Sequence, residues 1–261
     1  MSKRKITVMI QARTGSSRLP GKVLSKIENK PMIWYVINRV KKIKSVEQIV
    51  LITTKEKNDQ VLLDIAKTEG IIGFAGDTDD VLNRHYQCAL QISADPIIRI
   101  TGDCPVIDPN LVEEMLQSFL KKDFDYVSNV NPPTYPDGLD TEIFSFQTLE
   151  KTALNAKLKS EREHVTPFLR NSGLFTKGSI SNDQDLSLLR WTVDESADFT
   201  VVSDVFDHFS PNIHFSWKDV LQLFRDQPEL FSANSKIKRN EGALMGKGQK
   251  LSTSLRLSSK T

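Results

Sequence analysis

Ile6-Thr7-Val8-Met9-Ile10 runs directly into Gln11-Ala12-Arg13-Thr14-Gly15-Ser16-Ser17-Arg18-Leu19-Pro20-Gly21-Lys22. The first five residues are apolar or β-branched and read as a buried strand, and the segment after them breaks that pattern with glycines, small residues and three cations. A loop of this kind, between a first strand and a first helix, suits a phosphate chain. Gly15 and Gly21 permit close approach of the backbone, Ser16 and Ser17 add small donors, and Arg13, Arg18 and Lys22 set three positive charges where a triphosphate would lie. The bland alternative is a solvated basic loop. A Walker A loop is disfavoured, because five residues separate Gly15 from Gly21-Lys22 and Val23 stands where Ser or Thr is needed.

Outward from this stretch, apolar runs at residues 6–10, 49–53, 71–74, 97–100 and 126–128 predict strands, with helical periodicity at 31–43, 57–69, 79–93 and 109–121 between them. Such alternation predicts an α/β protein, a Rossmann-like doubly wound and mainly parallel sheet. Ligands then bind at the carboxyl ends of strands, which directs attention to the loops after Ile10, Thr53, Phe74 and Ile100. Beyond about residue 130 the pattern changes. Residues 131–140 are rich in Pro, Asn and Gly, 141–146 follow, and a helix is predicted near 146–157, so that about 130–175 reads as a small lobe inserted over the sheet for acceptor binding and dimerisation. Residues 188–193 predict a further strand, and 197–209 and 216–225 two more helices.

The composition, 39% hydrophobic and 26% charged over 261 residues, suits one α/β domain or a large domain with a small appendage, and the main domain is read as residues 1–235. The formal charge of +2 conceals an asymmetry: residues 236–261 hold seven Lys or Arg and one Glu, leaving the body acidic. That tail is expected to be disordered, and the acidic body gives no general footprint for nucleic acid. No secretory or membrane segment is expected. Cys88 and Cys104 lack metal or disulfide spacing, which fits the cytoplasm. A homodimer is expected.

Two carboxylates stand at predicted strand ends. Asp103, in Thr101-Gly102-Asp103-Cys104-Pro105, follows a strand that should be central; Asp194, in Trp191-Thr192-Val193-Asp194, follows another. Magnesium prefers one or two carboxylates together with phosphate oxygens, so the pair reads as a metal site, against the alternatives of a turn at Asp103 and a helix cap at Asp194.

These residues resemble the cytidylyltransferases that make CMP-activated sugar acids, the acylneuraminate and 3-deoxy-manno-octulosonate enzymes, and above all their spore-coat-polysaccharide branch. The likeness rests on residues 12–22, Gly76-Asp77 with Asp80-Val81-Leu82-Asn83-Arg84, residues 101–105, Asp137-Gly138-Leu139-Asp140-Thr141-Glu142, Arg162-Glu163-His164-Val165-Thr166 and Val193-Asp194, in that order. The resemblance implies CTP as substrate and Mg²⁺ as cofactor. It implies Ala12, Arg13, Gly15, Ser16, Arg18 and Lys22 around the triphosphate, and Gly76, Asp77 and Arg84 on the nucleotide side. Asp103 and Asp194 would bind the metal, with Arg13, Lys22 and Asp103 as the catalytic set. Thr101-Gly102-Asp103-Cys104-Pro105 departs from the Gln-Gly-Asp-Glu-Pro style of the octulosonate enzymes, so the identity of the acceptor does not transfer.

The acceptor is expected over residues 137–164, where the strand–helix alternation breaks. Arg162 would meet a carboxylate or phosphonate, His164 a hydroxyl, and Asp140 and Glu142 hydroxyls or an amine. A rival reading is a metal-dependent glycosyltransferase using Asp-x-Asp, and the chain offers Asp77-Thr78-Asp79, Asp123-Phe124-Asp125 and Asp183-Gln184-Asp185. Chance among twenty aspartates accounts for one or two such triplets. Sugar-phosphate or phosphonate nucleotidyltransfer is nearer, and a nucleotide-binding protein without turnover is a non-enzymatic alternative.

Overall fold

The computed structural model describes residues 4–239. Nine strands and nine α-helices are placed there. The strands are β1 (Lys5–Gln11), β2 (Lys26–Ile27), β3 (Lys30–Pro31), β4 (Gln48–Thr54), β5 (Ile72–Gly76), β6 (Ala94–Thr101), β7 (Tyr126–Ser128), β8 (Glu142–Phe144) and β9 (Lys177–Ser179). The helices are α1 (Met32–Val40), α2 (Gln60–Thr68), α3 (Val81–Ile92), α4 (Pro109–Lys121), α5 (Phe146–Asn155), α6 (Lys159–His164), α7 (Pro167–Asn171), α8 (Ser196–Phe209) and α9 (Trp217–Asp226).

Seven strands form one sheet in the order β5-β4-β1-β6-β8-β7-β9, while β2 and β3 make a small hairpin. All ladders of the large sheet are parallel except those made by β8, which runs antiparallel to both β6 and β7. The α/β, mainly parallel sheet expected from the sequence is therefore present. Successive β1 side chains turn to opposite faces: Val8 and Ile10 join the apolar cluster formed with α1, α4 and α8, and Met9 joins the cluster formed with α3 and α5. That two-sided burial is why Val8, Met9 and Ile10 are apolar in succession, without alternation.

Two expectations need correction. Residues 188–193 form no strand; only Arg190 makes a bridge, to Asp137, and the segment crosses the ends of other strands. Trp191 and Val193 are buried while Leu188 is 95% exposed. The unbroken burial of residues 190–193 imitates a central strand, but the backbone bonds go to Asp137 and Asp103 rather than to a ladder. The segment expected as a lobe over the sheet instead feeds β8 into the sheet itself, between β6 and β7. The alternation breaks there because an antiparallel strand needs no crossover helix.

The sheet order reverses beside β1, whose neighbours are β4 on one side and β6 on the other. Their carboxyl ends open the crevice in which open α/β sheets bind ligands. Gly102 lets the β1 and β6 loops meet there. Its N–H donates to the Gln11 carbonyl at 2.8 Å, and a Cβ at this position would lie 2.9 Å from Ala12 Cβ.

Candidate active site

The loop after β1 is held from β4 and α2. Asp59, buried at the start of α2, accepts from the backbone N–H of Thr14 (2.7 Å) and from its hydroxyl (2.6 Å), while its other oxygen accepts from Thr54. Gly21 closes the loop with its N–H on the Thr14 carbonyl and a φ of +71°, a conformation that suits glycine. Lys22 is thereby turned inward.

The Lys22 Nζ donates to Asp103 Oδ2 (2.7 Å), Asp194 Oδ1 (2.9 Å) and the Val193 carbonyl (2.8 Å). Burial works against the ammonium, but the two carboxylates outweigh it and raise the lysine pKa above its ordinary value. Residues separated by up to 172 positions in the chain thus converge on one nitrogen. The loops carrying the two aspartates are also tied together, since Val193 N–H and Thr192 Oγ1 both donate to the Asp103 carbonyl. Arg18 reaches Asp194 Oδ1 at 2.8 Å. Behind them Arg190, almost fully buried, donates to Asp137, Asp194 and Asp198. Burial would raise the Asp194 carboxyl, but Lys22, Arg18 and Arg190 hold it below the ordinary range. Asp137 is shifted upward, first by burial and then by the neighbouring Asp140.

A second group of side chains lines a cavity of about 130 Å³ beside the first: Gln11, Arg13, Thr78, Asp79, Val81, Arg84, Glu163 and His164. Arg84 lies against Gly76, donates to the Asp77 carbonyl and is lowered to about 10 by burial and by Arg13. Among the described residues no hydrogen-bond partner reaches Arg84 Nε. Two guanidiniums and two carboxylates that line one cavity favour a polar occupant.

The remaining expected site residues are placed as follows. Ala12 is buried, with its N–H donated to the Ile52 carbonyl; Gly15 is exposed and Ser16 half-buried in the loop. The Asp77 carboxylate accepts from the N–H groups of Asp79 and Asp80 and so shapes its own turn. Glu142 is buried and takes bonds from Arg99 and Tyr126. Arg162 is engaged by Asp80, the cap of α3, and by the Ala153 carbonyl. His164 faces the Arg13 and Arg84 cavity rather than Asp140. Asp140 is paired with Arg239, a residue expected in a disordered tail. Lys236 to Arg239 are instead placed, and residues 240–261 lie outside the described residues. Of the Asp-x-Asp triplets, Asp125 accepts from Thr176, 51 residues away, and Asp185 from Ser187 in a local turn, which leaves both carboxylates engaged.

Sequence reasoning missed Asp59, Arg99, Arg190 and Arg239, and it offered Asp198 as a weaker metal ligand, whereas that carboxylate accepts from Arg190 and Asn234. Arg190 carried a signal, a charge beside a strongly apolar run; Asp59 carried none that separates it from an ordinary helix start.

Residues 7–228 match the sequence profile of the family described as Cytidylyltransferase. The chain belongs to the cytidylyltransferase family. A solved cytidylyltransferase from Leptospira borgpetersenii serovar Hardjo-bovis is 31% identical and superposes with a TM-score of 0.84, covering 88% of this chain and 97% of that one. The spore coat polysaccharide biosynthesis protein SpsF of Bacillus subtilis is 26% identical over 232 residues, 86% of this chain and 95% of its own. The 3-deoxy-manno-octulosonate cytidylyltransferase of Geobacter metallireducens is 33% identical over 113 residues, 43% of each chain. As a member of this family the chain is a cytidylyltransferase-type enzyme built on a nucleotidyltransferase sheet, and the Lys22 cluster stands at that sheet's switch point. No helix among the described residues is long and apolar enough to cross a membrane.

Proposed function

We propose that this chain transfers CMP from CTP to a sugar acid, releasing pyrophosphate, in the synthesis of a surface glycan or polysaccharide. The observation that carries the reading is the convergence of Lys22, Asp103 and Asp194 at the carboxyl ends of β1 and β6. The partial match to an octulosonate cytidylyltransferase and the longer match to a spore-coat protein support the acceptor class.

Magnesium fits the donors present. One oxygen from each aspartate already flanks a single cationic nitrogen at 2.7 and 2.9 Å, and two carboxylates that converge on one cation suit an ion that prefers one or two carboxylates together with phosphate oxygens. When bound there, the ion would neutralise charge on the triphosphate and polarise the α-phosphate. Arg13, Arg18 and Lys22 would hold the phosphates, and Arg84 with Gln11 and Thr78 would line the nucleoside side. The acceptor oxygen bonds to the α-phosphorus as the bond to the bridging oxygen of pyrophosphate breaks, and the hydroxyl proton passes to solvent. Positioning and charge neutralisation account for most of such catalysis. Asp140, half-exposed beside the cluster, would contact the acceptor. We assign the reaction to the cytoplasm and to a homodimer.

The test is a screen of pyrophosphate release with four nucleoside triphosphates against sugar acids, sugar phosphates and phosphonates. CTP with a sugar acid should give the fastest release. Faster turnover of a sugar phosphate, or of another nucleotide, would reassign the substrate.

A further inference from the structure

The contacts of Lys22 exclude the role the active site needs from it. An ammonium carries three donors, and Asp103 Oδ2, Asp194 Oδ1 and the Val193 carbonyl accept one each. Lys22 therefore cannot keep these bonds and also hold a phosphate oxygen. A divalent ion meets the same conflict, because it binds carboxylate oxygens at about 2.0–2.1 Å, and the accessible oxygens already face Lys22 and Arg18. Asp194 Oδ1 accepts from both, while its Oδ2 accepts from Arg190 at 3.1 Å. Arg190 is fixed: its side chain is 4% exposed and also tied to Asp137 and Asp198. Asp103 Oδ1 faces the buried Cys104 Sγ at 3.7 Å. The partners free to leave are Lys22, on its long flexible stem, and Arg18, whose side chain is 38% exposed. The charges match as well, since two unit cations neutralise two carboxylates that one divalent ion would neutralise equally.

We propose that Lys22 and Arg18 are resident counter-cations of Asp103 and Asp194 that move onto the nucleotide's phosphates as a divalent ion takes their place, so that metal and CTP each bind weakly alone and tightly together. The inference rests on the CTP and magnesium reading above. It makes the basic loop an exchange device: the nucleotide draws the cations away and exposes the carboxylates, and the metal prevents their return. Coupling is reciprocal, so each ligand raises the affinity of the other by the same factor.

The test uses Mn²⁺ as the probe, read from the paramagnetic resonance of the free ion, without acceptor and without turnover. In the absence of nucleotide, Lys22→Met should bind Mn²⁺ at least about tenfold more tightly than wild type, the scale of an ordinary coupling free energy. Arg18→Met, altered at a more exposed position, should show a smaller gain and serves if the first variant fails to fold. In wild type, CTP should increase the Mn²⁺ retained by the protein, and Lys22→Met should narrow the difference. Equal Mn²⁺ affinity in wild type and both variants without CTP overturns the exchange. A separate result, no Mn²⁺ retained by any of these proteins with or without CTP, or retention unchanged by Asp103→Asn, rejects the metal reading and the exchange with it.

Discussion

Asp59 accepts two hydrogen bonds from Thr14 across 45 residues of chain, one from the backbone N–H and one from the hydroxyl. The contact joins the start of α2 to the loop that carries Arg13, Arg18 and Lys22. The conformation of that loop is therefore set from outside it. Asp59→Ala should raise the Kd for CTP by about tenfold or more, because charge-assisted bonds of this kind contribute about 1.5–3 kcal/mol each. Calorimetry with CTP checks this, with the unfolding midpoint measured alongside. An unchanged Kd would show that the loop holds its shape without Asp59.

The buried carboxylates predict a pH dependence of definite sign. Burial opposes ionisation of Asp59, Asp194, Asp198 and Glu142. Hydrogen bonds from Thr14 and Thr54 at the first and from Arg190 at the third, and the positive charges of Lys22 at the second and Arg99 at the fourth, outweigh it and lower all four pKa values. A carboxyl lowered in the folded state contributes stability that is complete above its unfolded pKa, about 4, and is lost as pH falls through the folded value. The urea midpoint should fall between about pH 5 and pH 3, and less steeply in Asp198→Asn than in wild type. Parallel slopes would mean that Asp198 is not ionised in the fold.

Gly102 offers a local test of how the two loops meet. An added Cβ would lie 2.9 Å from Ala12 Cβ and 3.0 Å from Ile33 Cδ1, neither at the end of a long flexible chain. Gly102→Ala should cost about 1–3 kcal/mol and lower kcat more than the CTP affinity, since it displaces Asp103 from Lys22. Thermal unfolding and steady-state kinetics read the two effects. A wild-type Tm would show that the neighbours shift without cost.

The C-terminal segment divides at Arg239. Asn234 donates to Asp198 and to the Arg190 carbonyl, and Arg239 pairs with Asp140. A chain ending at Arg239 should keep its turnover, whereas one ending at Ser235 should lose at least about fivefold in kcat/KM for the acceptor, because Asp140 and Asp137 then face each other without that cation. Equal rates in the two truncated chains would remove Arg239 from the site.

Much of this was legible before any coordinates. The strand at 126–128 and the helix at 109–121 are placed as read, because Pro109 and the Asp108 cap mark the helix start plainly. Lys22 reads as a phosphate ligand in its loop, and Asp103 with Asp194 as a metal pair at two strand ends. Local pattern could not show that they share one nitrogen, which depends on β1 lying next to β6 and on a crossing segment at 189–193. The strand expected there was a misreading of burial as ladder pairing, since residues 190–193 are buried in succession while the backbone bonds run to loops. Arg162 and Glu142 looked available for an acceptor because their partners, Asp80 and Arg99, are distant in sequence. Long-range ion pairs leave no periodic trace.

The central claim is that Asp103 and Asp194 organise CTP-dependent transfer, and the most direct test is pyrophosphate release from CTP, with Mg²⁺ and the panel of acceptors, by wild type and Asp103→Asn. The account predicts acceptor-dependent release by wild type and a loss of about 100-fold or more in kcat for a variant that unfolds at nearly the wild-type temperature. No acceptor-dependent release from CTP by wild type, or an Asp103→Asn variant as fast as wild type, would contradict it.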